Sequence, residues 1–322
     1  MEIIREMRKE IKKRNIIDIR REGGITAVLG LTYICQCNCV HCGMAIYEKN
    51  ISTELKTADW LKIIDELSIN KIKDIVFFGG EPTLRDDLAE LVSAVKKRGI
   101  TTVVDTNGYL LTNNFVKKMK IAGLDFFEIS IDSSSSKIHD DLRGVEGVFN
   151  KMQEGIKNCK SNDLGFLIST YATKDNIKNG ELKKIINLAR KMGAIYVRVL
   201  SPILIGKWLN KDNFNLNESE RKALNNILDD KFAFSEEKYC IGINKKLIYI
   251  SPYGEIQPCP YIPFTFGNVK KESIKSIIDK MWGHSMYKIE TDECLMNNEK
   301  FRKKYIKIIK NSSKFPIDLV KK

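Results

Sequence analysis

What most constrains this chain is an alternation. Six short apolar runs, rich in β-branched and aromatic residues, recur along it: ITAVLGLTYI at 25–34, DIVFFGG at 74–80, ITTVVDTNG at 100–108, DFFEISID at 125–132, LGFLISTYA at 164–172 and AIYVRVLSP at 194–202. Between them lie stretches with apolar residues at helical spacing, such as TADWLKIIDELSIN, NNFVKKMKIAG and ELKKIINLARKMG. Strands that alternate with helices predict a parallel sheet, because one parallel strand reaches the next only through a long crossover. Repeats of this size suit a closed barrel, a partial barrel or a doubly wound sheet, and counting strands does not choose among them. At 322 residues and 43% hydrophobic content, the chain can bury a large core and still carry a smaller module.

The alternation stops near Pro202, and the chain divides accordingly. Residues 1–24 read as an N-terminal basic helix stopped by Gly23-Gly24, and 25–205 as the α/β core. Residues 206–238 read as a connector helix, opened at Asn217 with Glu220 in the capping-box position. The short strands and turns of KLIYISPYGEIQPCPY mark 239–300 as a second module. Residues 301–322 read as a basic helix or tail, in which Phe301, Tyr305, Ile308 and Ile309 share one helical face. From Lys300 to Lys322 nine basic residues face one acid, Asp318, in a chain whose net charge is +13. A docked or solvated helix is the plain expectation there, and contact with a membrane surface the alternative. No aromatic residues stand on a basic strand, so no nucleic-acid partner is expected. The first 24 residues carry no apolar signal core, and no run of 18 apolar residues occurs, so the expected compartment is the cytoplasm. In that reducing setting, clustered cysteines read first as metal ligands or catalytic thiols.

The stretch CQCNCVHC holds such a cluster. Cys35, Cys39 and Cys42 are spaced C-x3-C-x2-C at the C-terminal end of the first predicted strand, where α/β proteins place ligands. Cys37 falls inside this spacing and breaks it if used, so it reads as a bystander. Structural zinc normally takes four protein ligands, whereas three thiolates on a four-iron cluster leave one iron open. One strand later comes FFGGEPTLR. Its glycines, Gly79 and Gly80, allow close approach to the backbone, and Glu81 can accept a charge-assisted bond from an ammonium group.

Together, LTYICQCNCVHCG and GGEP on successive strand ends resemble the cluster loop and SAM-binding motif of radical S-adenosylmethionine (SAM) enzymes, over about residues 25–202. The resemblance implies a partial (β/α)6 TIM-type barrel. It implies a [4Fe–4S] cluster on Cys35, Cys39 and Cys42 that cleaves SAM, yielding a 5′-deoxyadenosyl radical that takes hydrogen from a substrate. It also implies an electron donor such as flavodoxin or ferredoxin. The SAM-binding positions it suggests are His41, Gly79, Gly80, Glu81, Asn107, Ser130, Asp132 and Arg143, the last as the partner of the SAM carboxylate. No residue is singled out as a catalytic hydrogen donor.

Farther on, Cys240, Gly254 and Cys259 are similar to the opening of the SPASM and Twitch extensions, which bind auxiliary iron–sulfur clusters. With Cys294 added, three cysteines suit at most one such cluster; Tyr261, Asp292 and Glu293 are candidates for a further ligand. Cys159 reads as a packed core residue. The substrate class stays open between a peptide or protein and a small-molecule biosynthetic intermediate. The short N-terminal segment leaves no room for a leader-binding domain, which weakens the peptide reading. A non-catalytic iron–sulfur electron-transfer or scaffold protein would leave the GGE motif and Arg143 without a task. A zinc-bound structural or nucleic-acid-binding protein would not need an open fourth position.

Overall fold

The computed structural model of the chain describes residues 2–13, 22–70, 72–211, 215–235, 239–291 and 294–320. Each of the six apolar runs forms a strand: β1 Ile25–Thr32, β2 Ile72–Gly79, β3 Thr101–Thr106, β4 Phe126–Ser130, β5 Gly165–Tyr171 and β6 Val197–Leu200. Helices cross between them: α2 Thr57–Ile69, α3 Leu88–Lys96, α4 Asn113–Ala122, α5 Ser136–Arg143, α6 Val148–Ser161 and α7 Glu181–Met192. The α7 helix shows why they dock. Leu182, Ile185, Ile186 and Ala189 fall on one face and all are buried, as a 3.6-residue period requires.

Strand order settles what counting could not. The sheet runs β7-β6-β5-β4-β3-β2-β1-β8-β9, and every pairing from β7 across to β8 is parallel. A doubly wound sheet reverses direction at a switch point. Here consecutive strands are consecutive neighbours throughout, which is barrel winding, and no described pairing joins β7 to β9 to close it.

The domain boundaries differ from the sequence expectation in two places. The connector at 206–238 does contain the helix at Glu218–Ile227, α8, with Asn217 and Glu220 forming its capping box. It also contains β7, Ala233–Ser235, which pairs with β6. Likewise, the first strand of the second module, β8 Leu247–Ile250, pairs parallel with β1. Both ends of the barrel sheet are thus extended by segments outside the alternating core, because an uncovered strand edge demands backbone partners. The β8 strand then turns back as an antiparallel hairpin with β9, Ile256–Gln257, through Gly254 at φ 94°.

The terminal helices are both put to use. α1, Glu2–Lys13, places Ile11, 6% exposed, and Met7 against Phe126, Leu167, Ile195 and Phe234 at the N-terminal end of the barrel. The sequence suggested only a basic helix; the structure makes it the barrel's floor. After α9, Ile274–Gly283, the last helix is α10, Glu299–Lys310, which buries Phe301, Tyr305 and Ile309, with Tyr305 and Phe301 against the ring of Phe264. The apolar face that motivated the membrane-surface expectation is therefore spent on packing. No described helix is long and apolar enough to cross a membrane.

Because side chains alternate along a strand, each barrel strand has two faces. Ile75, Phe77, Val104, Phe127, Ile129, Ile168, Val197 and Val199 face the helices and form the main core. Val76, Phe78, Val103, Asp105, Phe126, Glu128, Leu167 and Arg198 face the lumen.

Candidate active site

The thiol loop leaves β1 at the C-terminal mouth of the barrel and is gripped on three sides. The end of β2 holds the first: Gly80 N–H donates to Thr32 O at 2.6 Å and Glu81 N–H to Ile34 O at 2.8 Å. A Cβ on Gly79 would lie 2.2 Å from Thr32 O, and one on Gly80 2.2 Å from Ile34 O. The two glycines thus admit the chain's own thiol loop, and both also border the cavity described below. The C-terminus of α5 holds the second side, with Asn38 N–H bonded to Arg143 O and Val40 N–H to Leu142 O, both 2.9 Å. The segment after β6 holds the third. Lys207 N–H donates to Cys42 O at 3.1 Å, and Lys207 Nζ donates to Asn38 O at 2.8 Å and Oδ1 at 2.6 Å. The sequence reading took this segment for a polar connector.

Glu81 is also a tie within the fold. Its Oε1 accepts from Thr83 N at 3.2 Å, Thr83 Oγ1 at 2.6 Å and Thr106 Oγ1 at 2.8 Å, and its Oε2 accepts from Asn107 N at 2.9 Å. The buried carboxylate, 1% exposed, ties the end of β2 to the end of β3. A carboxylate has about four acceptor positions, so at most one, on Oε2, remains for an ammonium group. Burial pushes its pKa up, against the pull of the Asn107 and Thr83 hydrogen bonds. Asn107 continues the network. Its Oδ1 accepts from Tyr109 N at 2.9 Å and Gln36 Nε2 at 3.2 Å, and its Nδ2 points at Cys35 Sγ from 3.9 Å.

The thiols are unequal. Cys37 N–H lies 3.3 Å from Cys35 Sγ. The Cys37 S–H hydrogen bonds toward Cys35 and Cys39, which pushes its own pKa up. The same hydrogen bond lowers Cys35. It brings Cys39 down to about 5, against burial and with help from Arg143 and His41. Burial pushes Cys42 up. Of the Cys37 groups, the backbone N–H is the one in direct contact with a spaced thiol, that of Cys35.

Arg143 and Asp132 form a buried pair, Nε to Oδ2 at 2.6 Å. Arg143 Nη1 reaches Cys39 Sγ at 3.7 Å. Arg143 also borders the cavity described below, and among the described residues its Nε and both Asp132 carboxylate oxygens have no hydrogen-bond partner. Asp132 is pushed up by burial, but the Arg143 charge outweighs this, with His41 and His139 adding to it, and its pKa falls below the ordinary value. His41 Nε2 lies 3.6 Å from Asp132 Oδ2. Its ring packs at 4.8 Å from Tyr171 and 5.6 Å from Trp208, and burial lowers its pKa. Ser130 Oγ stands 3.5 Å from Ser169 Oγ.

These residues meet around one cavity of about 160 Å³, bordered by Cys35, Cys39, Cys42, His41, Gly79, Gly80, Glu81, Asn107, Ser130, Asp132 and Arg143. Among the described residues no three His, Cys, Asp or Glu side chains close on a single metal ion; the thiols stand around a space. Below it lies the barrel lumen, a second cavity of about 550 Å³. The two share Phe78, Asp105, Arg198, Leu200 and Tyr261.

The lumen wall carries the other thiols. The β8–β9 hairpin returns Cys259 to Cys240, and Cys294 joins them. Burial, then the charges of Cys240 and Cys259, push Cys294 up, while backbone N–H groups of Met296 and Asn297 donate to its sulfur. Of the candidate further ligands, Tyr261 borders both cavities; Asp292 and Glu293 lie outside the described residues. Cys159 is fully buried in the core.

Sequence reasoning missed a charged cluster in the lumen. Arg198 Nε bonds Glu128 Oε1 at 2.6 Å, and Arg198 Nη2 lies 3.4 Å from Asp105 Oδ2. Asp105 Oδ1 is buried with no hydrogen-bond partner. Burial, then the Glu128 charge, raise the Asp105 pKa well above the carboxylate range. A signal was present: all three sit at alternate, inward positions of strands otherwise lined by apolar residues.

Comparison with known proteins gives the following. The profile of the radical SAM superfamily matches residues 29–199, and that of SPASM, an iron–sulfur cluster-binding domain, matches residues 240–311. The chain is 27% identical over 286 residues to the AdoMet-dependent heme synthase of Methanosarcina barkeri, covering 77% of this chain and 80% of that protein. It is 27% identical over 216 residues to the Fe-coproporphyrin III synthase of the same organism, covering 67% of this chain and 53% of that one. Among solved structures, SuiB of Streptococcus suis bound to S-adenosylmethionine superposes with a TM-score of 0.71 at 16% identity, over 96% of this chain and 80% of SuiB. SuiB bound to the precursor peptide SuiA superposes at 0.68, also at 16% identity, over 93% and 76%.

Proposed function

The chain belongs to the radical SAM superfamily and carries a SPASM iron–sulfur domain, and from that premise we propose that it acts on a carboxylate-bearing, largely apolar small molecule of the iron-porphyrin class, seated in the barrel lumen. It is an enzyme whose cofactors are a [4Fe–4S] cluster, SAM and an auxiliary iron–sulfur cluster. The residues fit these groups. Cys35, Cys39 and Cys42 would hold the first cluster, with Arg143 and Asn107 directing donors at the sulfurs of Cys39 and Cys35. Cys240, Cys259 and Cys294 would hold the second. When bound, the first cluster with SAM supplies a 5′-deoxyadenosyl radical able to remove a substrate hydrogen atom, and the second supplies a one-electron centre.

The observation that carries the substrate reading is the 550 Å³ lumen, walled by apolar side chains and joined to the SAM cavity beside a single arginine, Arg198. Ligand sites of this kind hold an apolar body with a few placed polar groups. The Arg198–Asp105 contact of 3.4 Å is long for a charge-assisted bond. A substrate carboxylate can take that guanidinium donor, beside the Asp105 carboxyl whose pKa burial and the Glu128 charge raise. The names of two relatives, an AdoMet-dependent heme synthase and an Fe-coproporphyrin III synthase, support the same class. Glu128 holds the guanidinium in place, and Phe78 and Leu200 keep water from the junction.

The test is anaerobic. Reconstituted protein with SAM and a reductant should form 5′-deoxyadenosine. Fe-coproporphyrin III, an iron porphyrin with four carboxylates, should stimulate it several-fold. Cys37→Ser should keep the first cluster, and Cys39→Ser should lose about four irons per chain. Arg198→Met should lose the porphyrin stimulation yet keep basal SAM cleavage. Full iron without SAM cleavage sinks the reading of the thiol loop. Cleavage indifferent to the porphyrin sinks the substrate class alone.

A further inference from the structure

The base of the first thiol loop is closed by two aromatic rings. Tyr33 precedes Cys35 by two residues, and Tyr47 follows Cys42 after a single 3₁₀ turn, Gly43–Ile46. The rings stack with centroids 4.8 Å apart and planes 7° from parallel. Residues 34–46, with Cys35, Cys39 and Cys42 among them, are the loop that this stack closes. Each ring is in turn held by the hairpin of the second module. Tyr249 Oη donates to Tyr33 Oη at 3.1 Å. Tyr47 Oη donates to Gln257 Oε1 at 2.9 Å and lies 3.4 Å from Pro260 O. Tyr249 and Gln257 stand opposite each other across β8 and β9. All four side chains are buried. Gly30 on β1 makes the fit possible, since a Cβ there would fall 2.2 Å from Tyr249 Oη.

The hairpin that holds this clasp leads straight into one of the second thiols. Cys259 lies between Gln257 and Pro260 in the chain, so the two acceptors of the Tyr47 phenol flank it. Cys240 comes to the same place: a Cβ on Gly242 would lie 3.7 Å from Cys240 Sγ and 3.8 Å from Cys259 Cβ. Binding a metal centre orders the segment that supplies its ligands, so that binding free energy becomes folding free energy. Order in residues 257–260 reaches Tyr47 directly, because a buried phenol parted from its acceptors loses hydrogen bonds that water is not there to replace. We propose that Tyr47 is a positioning residue for the first cluster: through the Tyr33–Tyr47 stack, a cluster on Cys240, Cys259 and Cys294 secures the loop that holds a cluster on Cys35, Cys39 and Cys42. The coupling is reciprocal, as coupling between two binding sites must be. It rests on the reading that both thiol groups hold clusters. No bond and no electron passes between the sites; what passes is order in the loop.

The experiment compares the full chain, reconstituted without oxygen, with a chain in which Cys240, Cys259 and Cys294 are changed to Ala. Iron should stand at about eight per chain in the first and about four in the second. Equal iron in the two removes the second cluster, and no iron in the second chain removes the first; either outcome ends the proposal with the cluster reading. Each protein is then exposed to an iron chelator and iodoacetamide, and alkylation of Cys35, Cys39 and Cys42 is read residue by residue by mass spectrometry. Loss of the second cluster should speed alkylation at all three about five-fold, the worth of roughly one buried hydrogen bond. Tyr47→Phe keeps the ring stack and removes the phenol. With all cysteines present it should speed the reaction by a similar factor, and in the Cys→Ala chain it should add little, since changes on one network are non-additive. Rates that multiply, or that ignore the second cluster, overturn the proposal and leave both clusters in place. Cys159, buried in the core, should stay unreacted throughout; alkylation of Cys159 in step with the loop would mean general unfolding and overturns it too. Tyr249→Phe breaks the clasp from the other ring and should match Tyr47→Phe. A loop as well protected in Tyr249→Phe as in the parent also overturns the proposal.

Discussion

Arg143 shows how a side chain's partner decides its job. Its Nε meets Asp132 at 2.6 Å, with both side chains almost wholly buried. Removing one partner of such a pair strands the other charge, so Arg143→Met should cost roughly 3–5 kcal/mol of stability. The pH dependence carries a definite sign. In the native chain burial opposes the Asp132 charge, but Arg143 outweighs it and the folded pKa lies below the ordinary value. The stability from this pair is therefore present above the unfolded value near 3.9, and is lost as pH falls through the folded value. In Arg143→Met burial loses its main opponent, the folded pKa rises above the unfolded one, and the penalty grows as pH climbs. Urea unfolding of both proteins between about pH 4 and pH 7 should show a gap that widens with pH. A gap of constant size would mean that Asp132 is not the charge left behind.

At the scale of elements, the site is an agreement among strand ends. The β2 end approaches the thiol loop so closely that a methyl group on Gly80 would sit 2.2 Å from Ile34 O and 2.7 Å from Tyr33 O. Backbone on both sides leaves no flexible atom to yield. Gly80→Ala should displace the loop carrying Cys35 while leaving the barrel strands paired, at a cost of about 1–3 kcal/mol for overpacking. The expected result is an unchanged far-UV circular dichroism spectrum with most of the first cluster's iron lost. Full iron retention would show that the loop does not depend on this contact. The same logic holds across the mouth, where Gly206 lies so near Cys42 O that a Cβ would fall 2.1 Å from it.

At the scale of the whole molecule, the barrel is a vessel with a mouth, a wall of thiols and a floor. The floor is α1, whose Ile11 and Met7 cover Phe126, Leu167 and Phe234. Deleting residues 2–13 should open the lumen from below, so that an environment-sensitive apolar dye gains fluorescence and the thermal midpoint drops. Unaltered dye binding would mean that the floor lies elsewhere. Much of this architecture could be read from residues alone. The six strands follow from short apolar runs rich in β-branched and aromatic residues, the helices from a period of 3.6, and the first thiol cluster from spacing within one loop. These are properties of near neighbours along the chain. What sequence could not supply is partnership at a distance. Glu81 answers to Thr106 and Asn107, 25 and 26 positions away. Lys207 reaches Asn38 across 169, and Arg198 meets Glu128 across 70. The motif marked Glu81 as a group aimed at a ligand, and the fold also gives it donors from its own chain. The sequence by itself determined the strands, the helices and the first three thiols, since local periodicity and spacing carry them. Only the tertiary structure decided the strand order, the floor and the lumen charges, since these depend on which distant segments come to share one buried space.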